Sequence, residues 1–495
     1  MSFLCSAFED TMLSIVSKVN SFLADYILII LLVGVGLFYT IRTKFVQVRC
    51  FGEGMKNVFG KIKLNGKKNK SGMSSFQAFA TAVAAQVGTG NIIGASGAIL
   101  VGGPGAIFWM WIIAFLGMAT IYSEAVLAQK TRELAPDGQI LGGPVYYMKK
   151  AFPNKFGKFL GIFFAVACII ALGFIGTMVQ ANSISESVQN VFTAVDPTVI
   201  KIIVAVVLAA VAGFIFIGGI SRLASVTEKL VPIMAIVYII GSLVIIGARI
   251  QYIPETFAMI FKFAFVPQAV IGGAVGSAIK MAISQGAKRG LFSNEAGMGS
   301  TPHAHAQANV KTAHEQGTVA MVGVFIDTFV VLTFTALVVI STLYAGNGQL
   351  LLENGNPNAL NKSQLVANAF AVAFGGGNVA LTIGSIFVAV CLLFFAFSTI
   401  ISWNMFGKVN FTYLFKGKGI IVYSIISIAF IVLGAFMKND LVWELTDFFN
   451  YLMVLPNAVA LFALSNMVIA EVKANAKKNK PATLDETNED GEIQA

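Results

Sequence analysis

A chain of 495 residues with 57% hydrophobic and only 12% charged positions, at a mean hydropathy of +0.79, is too apolar for a soluble protein of that size and reads as a polytopic helical membrane protein. The net charge of +10 would suggest a nucleic-acid partner in a soluble protein, but here the lysines cluster in loops between apolar runs, which is a topology signal. Cys5, Cys50, Cys168 and Cys391 form neither a zinc spacing nor a disulfide framework.

From the amino terminus, Glu9 and Asp10 stand where a cleavable signal peptide needs basic residues, so Phe22–Thr40 is expected to be a retained first span. Hydrophobic runs then predict eleven spans, near 22–41, 76–101, 105–129, 157–181, 198–219, 229–248, 268–300, 318–344, 378–403, 419–437 and 448–470. With the amino terminus outside, 27 of the 34 Lys and Arg residues fall in inner loops, so the carboxyl terminus is expected in the cytoplasm. Residues 1–75 are read as an extra helix with a basic cytoplasmic loop, strongest over Lys56–Lys70. The membrane core is expected at 76–470, in halves 76–250 and 268–470, and 471–495 as a disordered tail.

Two segments break the apolar pattern. The run from Phe76 to Val101 could cross a bilayer at about 1.5 Å per residue, yet it contains Gln86-Val87-Gly88-Thr89-Gly90-Asn91. In hydrocarbon an unpaired backbone group costs several kcal/mol, so an unwound helix there needs protein, water or a solute to satisfy it. Glycine permits the unwinding and a ligand's close approach; the half-helix beginning near Asn91 offers a positive dipole end. The second segment, Gln285–Thr301 before Pro302, gathers Gly and polar residues around Glu295. Two interrupted segments, each opening a group of five spans, match the geometry of inverted-repeat transporters, although no internal sequence identity is visible.

Other polar groups sit at membrane depth. Gly176, Thr177, Gln180 and Asn182 end the fourth span, while Ser398, Thr399, Ser402 and Trp403 lie in the ninth, with Ser398 and Ser402 on one helix face. Such hydroxyls, beside carbonyls freed by an unwound helix, supply the hard oxygens a small alkali cation requires, or simply bond their own backbone. Glu124, Glu295 and Asp327 are costly at this depth, about 2.5 to 3.5 kcal/mol each on insertion scales, and Lys280 or Arg289 is expected to pair with one of them. His303, His305 and His314 include a His-Ala-His, but no Cys or carboxylate sits at ligand spacing beside it.

Gly88-Thr89-Gly90-Asn91-Ile92, Gly102-Gly103-Pro104-Gly105-Ala106 with Phe108-Trp109-Met110-Trp111, Gly142-Gly143-Pro144 with Tyr146-Tyr147, Arg289 to Gly297, and Phe397-Ser398-Thr399-Ile400 with Trp403 together resemble the bacterial and archaeal alanine/glycine:cation symporters. The resemblance covers Phe76 to Trp403 in order and spacing, and hydropathy carries it to about residue 470. It implies an all-α protein of about eleven helices with a leucine-transporter-like five-plus-five inverted-repeat core. It further implies sodium-coupled uptake of alanine, glycine or a related small amino acid across the plasma (inner) membrane. By motif, substrate contacts would come from Gln86, Thr89, Gly90, Asn91, Gln180, Phe292, Ser293, Asn294, Glu295, Thr399 and Trp403. Sodium would lie between carbonyls near Val87 and Gly88 and the hydroxyls of Ser398 and Thr399. A proton-coupled carrier using Glu124, Glu295 or Asp327, a carrier preferring glutamine or serine, and an ion channel remain the alternatives. An enzyme is not expected, since no His-Glu-x-x-His, Gly-x-Ser-x-Gly or paired Asp motif appears.

Overall fold

The computed structural model describes residues 2–60, 72–134, 140–266, 275–346, 348, 362–437 and 439–478. Among the described residues, eight unbroken helices are long and apolar enough to cross a bilayer: α1 (Glu9–Arg42), α5 (Gly105–Thr131), α6 (Lys155–Val191), α7 (Pro197–Ile217), α8 (Gly219–Ala248), α11 (Ala313–Leu343), α12 (Asn378–Phe415) and α14 (Asp440–Ala463). A ninth is a bent pair, α3 (Ser75–Gln86) and α4 (Gly90–Gly102). The helices α9 (Val275–Asn294) and α13 (Ile420–Gly434) occupy the two remaining expected positions. Three shorter helices matter below: α2 (Phe51–Phe59), α10 (Pro302–Ala306) and α15 (Ser465–Lys478).

Several expected boundaries move. The first span's helix already runs well before Phe22, the sixth begins at Gly219, and the ninth runs on to Phe415, because polar residues near a helix end keep its backbone paired while their side chains reach water. The seventh is cut short, since α9 stops at Asn294 and the chain is not helical again until Pro302. Residues 471–478, read as tail, extend α15. The expected basic stretch at 61–70, the start of the seventh span at 268–274 and the tail beyond 478 lie outside the described residues.

The core is two groups of five, each opened by an interrupted helix: α3/α4 to α8, then α9/α10 to α14. Within it α5 packs on α11 and α9, and α6 packs on α12. Burial separates centre from rim. In the most apolar window of α5, 72% of residues are buried by the protein itself, against 28% for α8, whose Ile233, Ile236 and Ile240 face outward. An apolar exposed face of that kind is what lipid covers. A two-residue parallel pairing of β1 (Met73–Ser74) with β2 (Ala308–Asn309) ties the start of α3 to the chain just past α10. Both interrupted segments are thus anchored to each other at one end.

Candidate functional site

The first half-helix starts firmly. Ser74 Oγ accepts from Gln77 N at 3.1 Å while Gln77 Oε1 accepts from Ser74 N at 3.0 Å, a reciprocal cap that satisfies two orphan donors. It ends at Val87, whose φ of −80° and ψ of 87° leave the helical region, and the two halves meet at 45°. Gly88 is required by its surroundings: a Cβ there would lie 2.4 Å from Thr399 Oγ1. The opened turn is braced by Asn91, whose Oδ1 accepts from Gly88 N at 3.0 Å, and by Gln180, whose Oε1 accepts from Thr89 N at 3.4 Å.

The second break is built differently. Glu295 itself adopts a left-handed conformation with φ 58°, followed by Gly297 at 90° and Gly299 at 82°. A non-glycine residue held there costs of order 1 to 3 kcal/mol unless its surroundings compensate. They do: Trp403 Nε1 donates to Glu295 Oε1 at 2.5 Å and Ser300 Oγ donates to its other oxygen. Glu124 of α5 accepts from Gly297 N at 3.2 Å, and Asn457 of α14 donates both to Glu124 Oε1 at 2.6 Å and to Gly297 O at 2.8 Å. Tyr147 Oη in turn donates to Asn457 Oδ1.

Every sequence-expected site residue is buried, and most are brought into contact. Gln86 Nε2 donates to Asn294 O at 2.7 Å, joining the ends of the two interrupted helices. A Cβ on Gly90 would sit 3.0 Å from Phe292 and 3.1 Å from Ser293. Phe292 meets Trp403 edge-to-face at 5.9 Å, and the Trp403 ring lies so near Gly176 that a Cβ there would be 2.5 Å from it. The hydroxyls of Ser398 and Thr399 both reach Ala84 O, at 3.2 and 2.9 Å, and Thr399 also reaches Ala85 O at 3.5 Å. Those carbonyls belong to the last turn of α3, one turn before the expected Val87 and Gly88. Gly88, just past the end of that helix, lies beside the same Thr399 hydroxyl.

The expected pairing of Lys280 or Arg289 with a core carboxylate does not occur. Lys280 meets Asp25 at 3.1 Å, and Arg289 meets Asp447 at 2.9 Å while its guanidinium covers the Trp443 ring at 4.9 Å. Asp327 is instead held by neutral donors. Its carboxylate accepts from Asn91 Nδ2 at 2.7 Å, from Ser293 Oγ at 2.9 and 3.0 Å, and from Thr328 Oγ1 at 2.7 Å. One carboxylate therefore joins the first break, the last turn of α9 and α11. Asn457 was missed by sequence reasoning. The only hint was its amide beside Pro456 in an otherwise apolar span.

Around these contacts some buried polar atoms have no hydrogen-bond partner among the described residues: Gln86 Oε1, Thr89 Oγ1, Gln180 Nε2 and Asn294 Nδ2. Buried polar groups are normally satisfied, so such a cluster marks a place for a polar solute. Two helices that part inside the membrane around such a cluster define a membrane transporter built on a five-plus-five core, and not an enzyme.

Comparison with known proteins agrees. Residues 9–489 match the sodium:alanine symporter family. The chain is 40% identical to the sodium/alanine symporter AgcS of Methanococcus maripaludis over 463 residues, 93% of this chain and 96% of that protein. It is 38% identical to the probable sodium/glutamine symporter GlnT of Bacillus subtilis over 468 residues, 94% and 91% of the two chains. Among solved structures, MhsT in complex with L-phenylalanine superposes with a TM-score of 0.60 at 16% identity, covering 82% of this chain and 93% of that one, which shows the shared leucine-transporter-like fold. The chain belongs to the sodium:alanine symporter family.

Proposed function

We propose that the protein takes up a small neutral amino acid, alanine or glycine, together with sodium, by alternating access across the plasma membrane, with its amino terminus outside and its carboxyl terminus in the cytoplasm. The observation that carries this reading is the buried set of unpartnered donors and an acceptor beside the first break. An amino-acid zwitterion needs both kinds. Its carboxylate would meet the amides that open α4, Thr89 to Asn91, with Thr89 Oγ1 and Gln180 Nε2 as further donors. Its ammonium would meet Gln86 Oε1 and main-chain carbonyls near Asn294. Trp403, 1% exposed and packed against Gly176 and Phe292, would wall the side-chain end, leaving room for hydrogen or methyl.

Sodium fits the oxygens of Ser398 and Thr399 with the carbonyls of α3's last turn, a set of hard hydroxyl and carbonyl donors with the Met234 sulfur 3.5 Å from Ser398 Oγ at its edge. The same hydroxyls hold α12 against α3, so the ion and the amino acid both favour the state in which α12 and the two breaks are closed. That shared preference is the coupling, and it works in both directions. One sodium ion moving down 100 mV releases about 2.3 kcal/mol, which supports an accumulation of about fiftyfold, since about 1.4 kcal/mol is a factor of ten.

The test is reconstitution into liposomes with an imposed sodium gradient and a panel of labelled amino acids. Sodium-dependent accumulation of alanine or glycine is expected. Glutamine as the dominant substrate would overturn the small-pocket reading, and uptake driven by a pH gradient without sodium would overturn sodium coupling.

A further inference from the structure

On the face that carries the basic loops, three parts of the chain far apart in sequence meet. Cys50 immediately precedes α2, whose first turn carries Glu53, α11 opens with Ala313 and His314, and α15 lies alongside. The Cys50 sulfur, a Glu53 carboxylate oxygen and a His314 ring nitrogen all lie within 4.8 Å of one another. His314 Nε2 is 3.3 Å from Glu53 Oε2. The His314 side chain is 1% exposed, and both ring nitrogens are engaged: Nδ1 is 2.6 Å from Tyr122 Oη, and Nε2 is 2.9 Å from Asn475 Nδ2.

With the ring proton on Nδ1, donated to Tyr122 Oη, the Nε2 lone pair accepts from Asn475 Nδ2, an amide that a cation at Nε2 would displace. Metal-ligating histidines are oriented in this way by a hydrogen bond at the far nitrogen. The Glu53 carboxylate, 3.3 Å from Nε2, and the Cys50 sulfur stand beside the same nitrogen, and in that tautomer no proton on the ring faces the carboxylate. Neighbouring cations are engaged elsewhere: Lys130 with Glu471 at 2.7 Å, and Arg49 with the carbonyls of Lys44 and Thr43 at 2.6 and 3.0 Å. Three donors converge, and a cation is the species that would hold them together.

We propose that Cys50, Glu53 and His314 form a binding site for a divalent cation of the zinc class. Sulfur, imidazole and a single carboxylate suit a borderline-soft ion, whereas magnesium and calcium take oxygen throughout. Three protein ligands leave a fourth position for water. His314 also borders a cavity of about 400 Å³ with Gln129, Lys130, Arg132 and Glu471, and the Glu53 side chain, 38% exposed, opens the cluster to water. α11 packs both on α2 and on α3, the half-helix that must move during transport. A bound ion fixes α2 to α11 and slows that movement. The site is remote from the two breaks and does not depend on which amino acid they bind.

The experiment uses the full chain, purified and stripped with chelator, then titrated with cobalt(II) and competed with zinc. A saturable signal of one cobalt per chain is expected, with the charge-transfer absorption of a thiolate ligand. Cys50→Ser removes that band and weakens binding at least about tenfold, Glu53→Gln also weakens it, and Tyr122→Phe weakens it by about 10- to 100-fold through the histidine's orientation. Absence of saturable binding, or equal affinity in Cys50→Ser and Glu53→Gln, would overturn the site and leave only a His–Glu hydrogen bond. In liposomes, zinc should slow sodium-driven uptake by the unaltered protein and not by Cys50→Ser. Uptake indifferent to zinc at full occupancy would overturn the clamp without touching the amino-acid reading.

Discussion

At the first break glycine lets other helices come close to bare main chain, with Thr399 against Gly88 and Ser293 against Gly90, and several side-chain atoms nearby stay unpartnered. At the second, Glu295 is held in a left-handed turn by Trp403 and Ser300, while Glu124 and Asn457 secure the peptide groups of Gly297. Both interruptions keep unpartnered polar atoms, Asn294 Nδ2 and Thr301 Oγ1 at the second, but only the second is held in a left-handed turn by the protein's own carboxylates. A membrane protein can unwind a helix either way, because the cost of freed backbone groups is met by whatever polar partner is nearest. Asp327 links the two, accepting from Asn91 at the first break and from Ser293 one residue before the last turn of α9 ends.

That contrast can be broken most severely at Gly88. Gly88→Ala forces a Cβ into Thr399 Oγ1; overpacking of this kind costs about 1 to 3 kcal/mol, so sodium-driven uptake should fall at least tenfold while the purified protein keeps its elution profile. Unchanged uptake would mean that the first break does not need its close approach to α12. At the second break, Glu124→Ala strands the Gly297 amide and Asn457, at roughly 1 to 3 kcal/mol for each group left unpaired. Here the loss should appear as a lower unfolding temperature, only partly restored in Glu124→Gln, which keeps the volume but turns its NH2 toward one of the two donors, Gly297 N or Asn457 Nδ2. A variant that unfolds normally but no longer transports would reverse the roles assigned to the two breaks.

Smaller effects sharpen the comparison. Thr399→Ala should raise the sodium concentration needed for half-maximal uptake several-fold and leave the unfolding temperature nearly unchanged; an identical sodium titration would remove Thr399 from the ion site. Trp403→Phe keeps an aromatic wall but drops the hydrogen bond to Glu295. It should chiefly relax selectivity toward larger side chains, measured as the uptake ratio of alanine to a bulkier neutral amino acid, and an unaltered ratio would show that the wall lies elsewhere.

Much of this architecture was legible from residue order. Spans could be read because a helix in lipid must be apolar over its whole length, and both interruptions because glycine, amide and carboxylate residues there contradict that demand. Helix limits were less legible, as at Gly219 and Phe415, where amphipathic or basic turns prolong a helix beyond the apolar run. The hydroxyls of Ser398 and Thr399 were identifiable, but their partner carbonyls were displaced by a turn to Ala84, since the crossing of α12 over α3 sets which turn they face.

Periodicity and hydropathy by themselves determined the class, most of the spanning helices and the location of both breaks, because those depend on what each short stretch can do in hydrocarbon. Only the tertiary structure decided the partners. Arg289 met Asp447 and left the core carboxylates to neutral donors, Asn457 reached the second break from the last span, and Cys50 with Glu53 came to a histidine more than 250 residues away. Side chains that carry charge or lone pairs act over a few ångströms, and at that range the packing of distant helices, not distance along the chain, selects the neighbour.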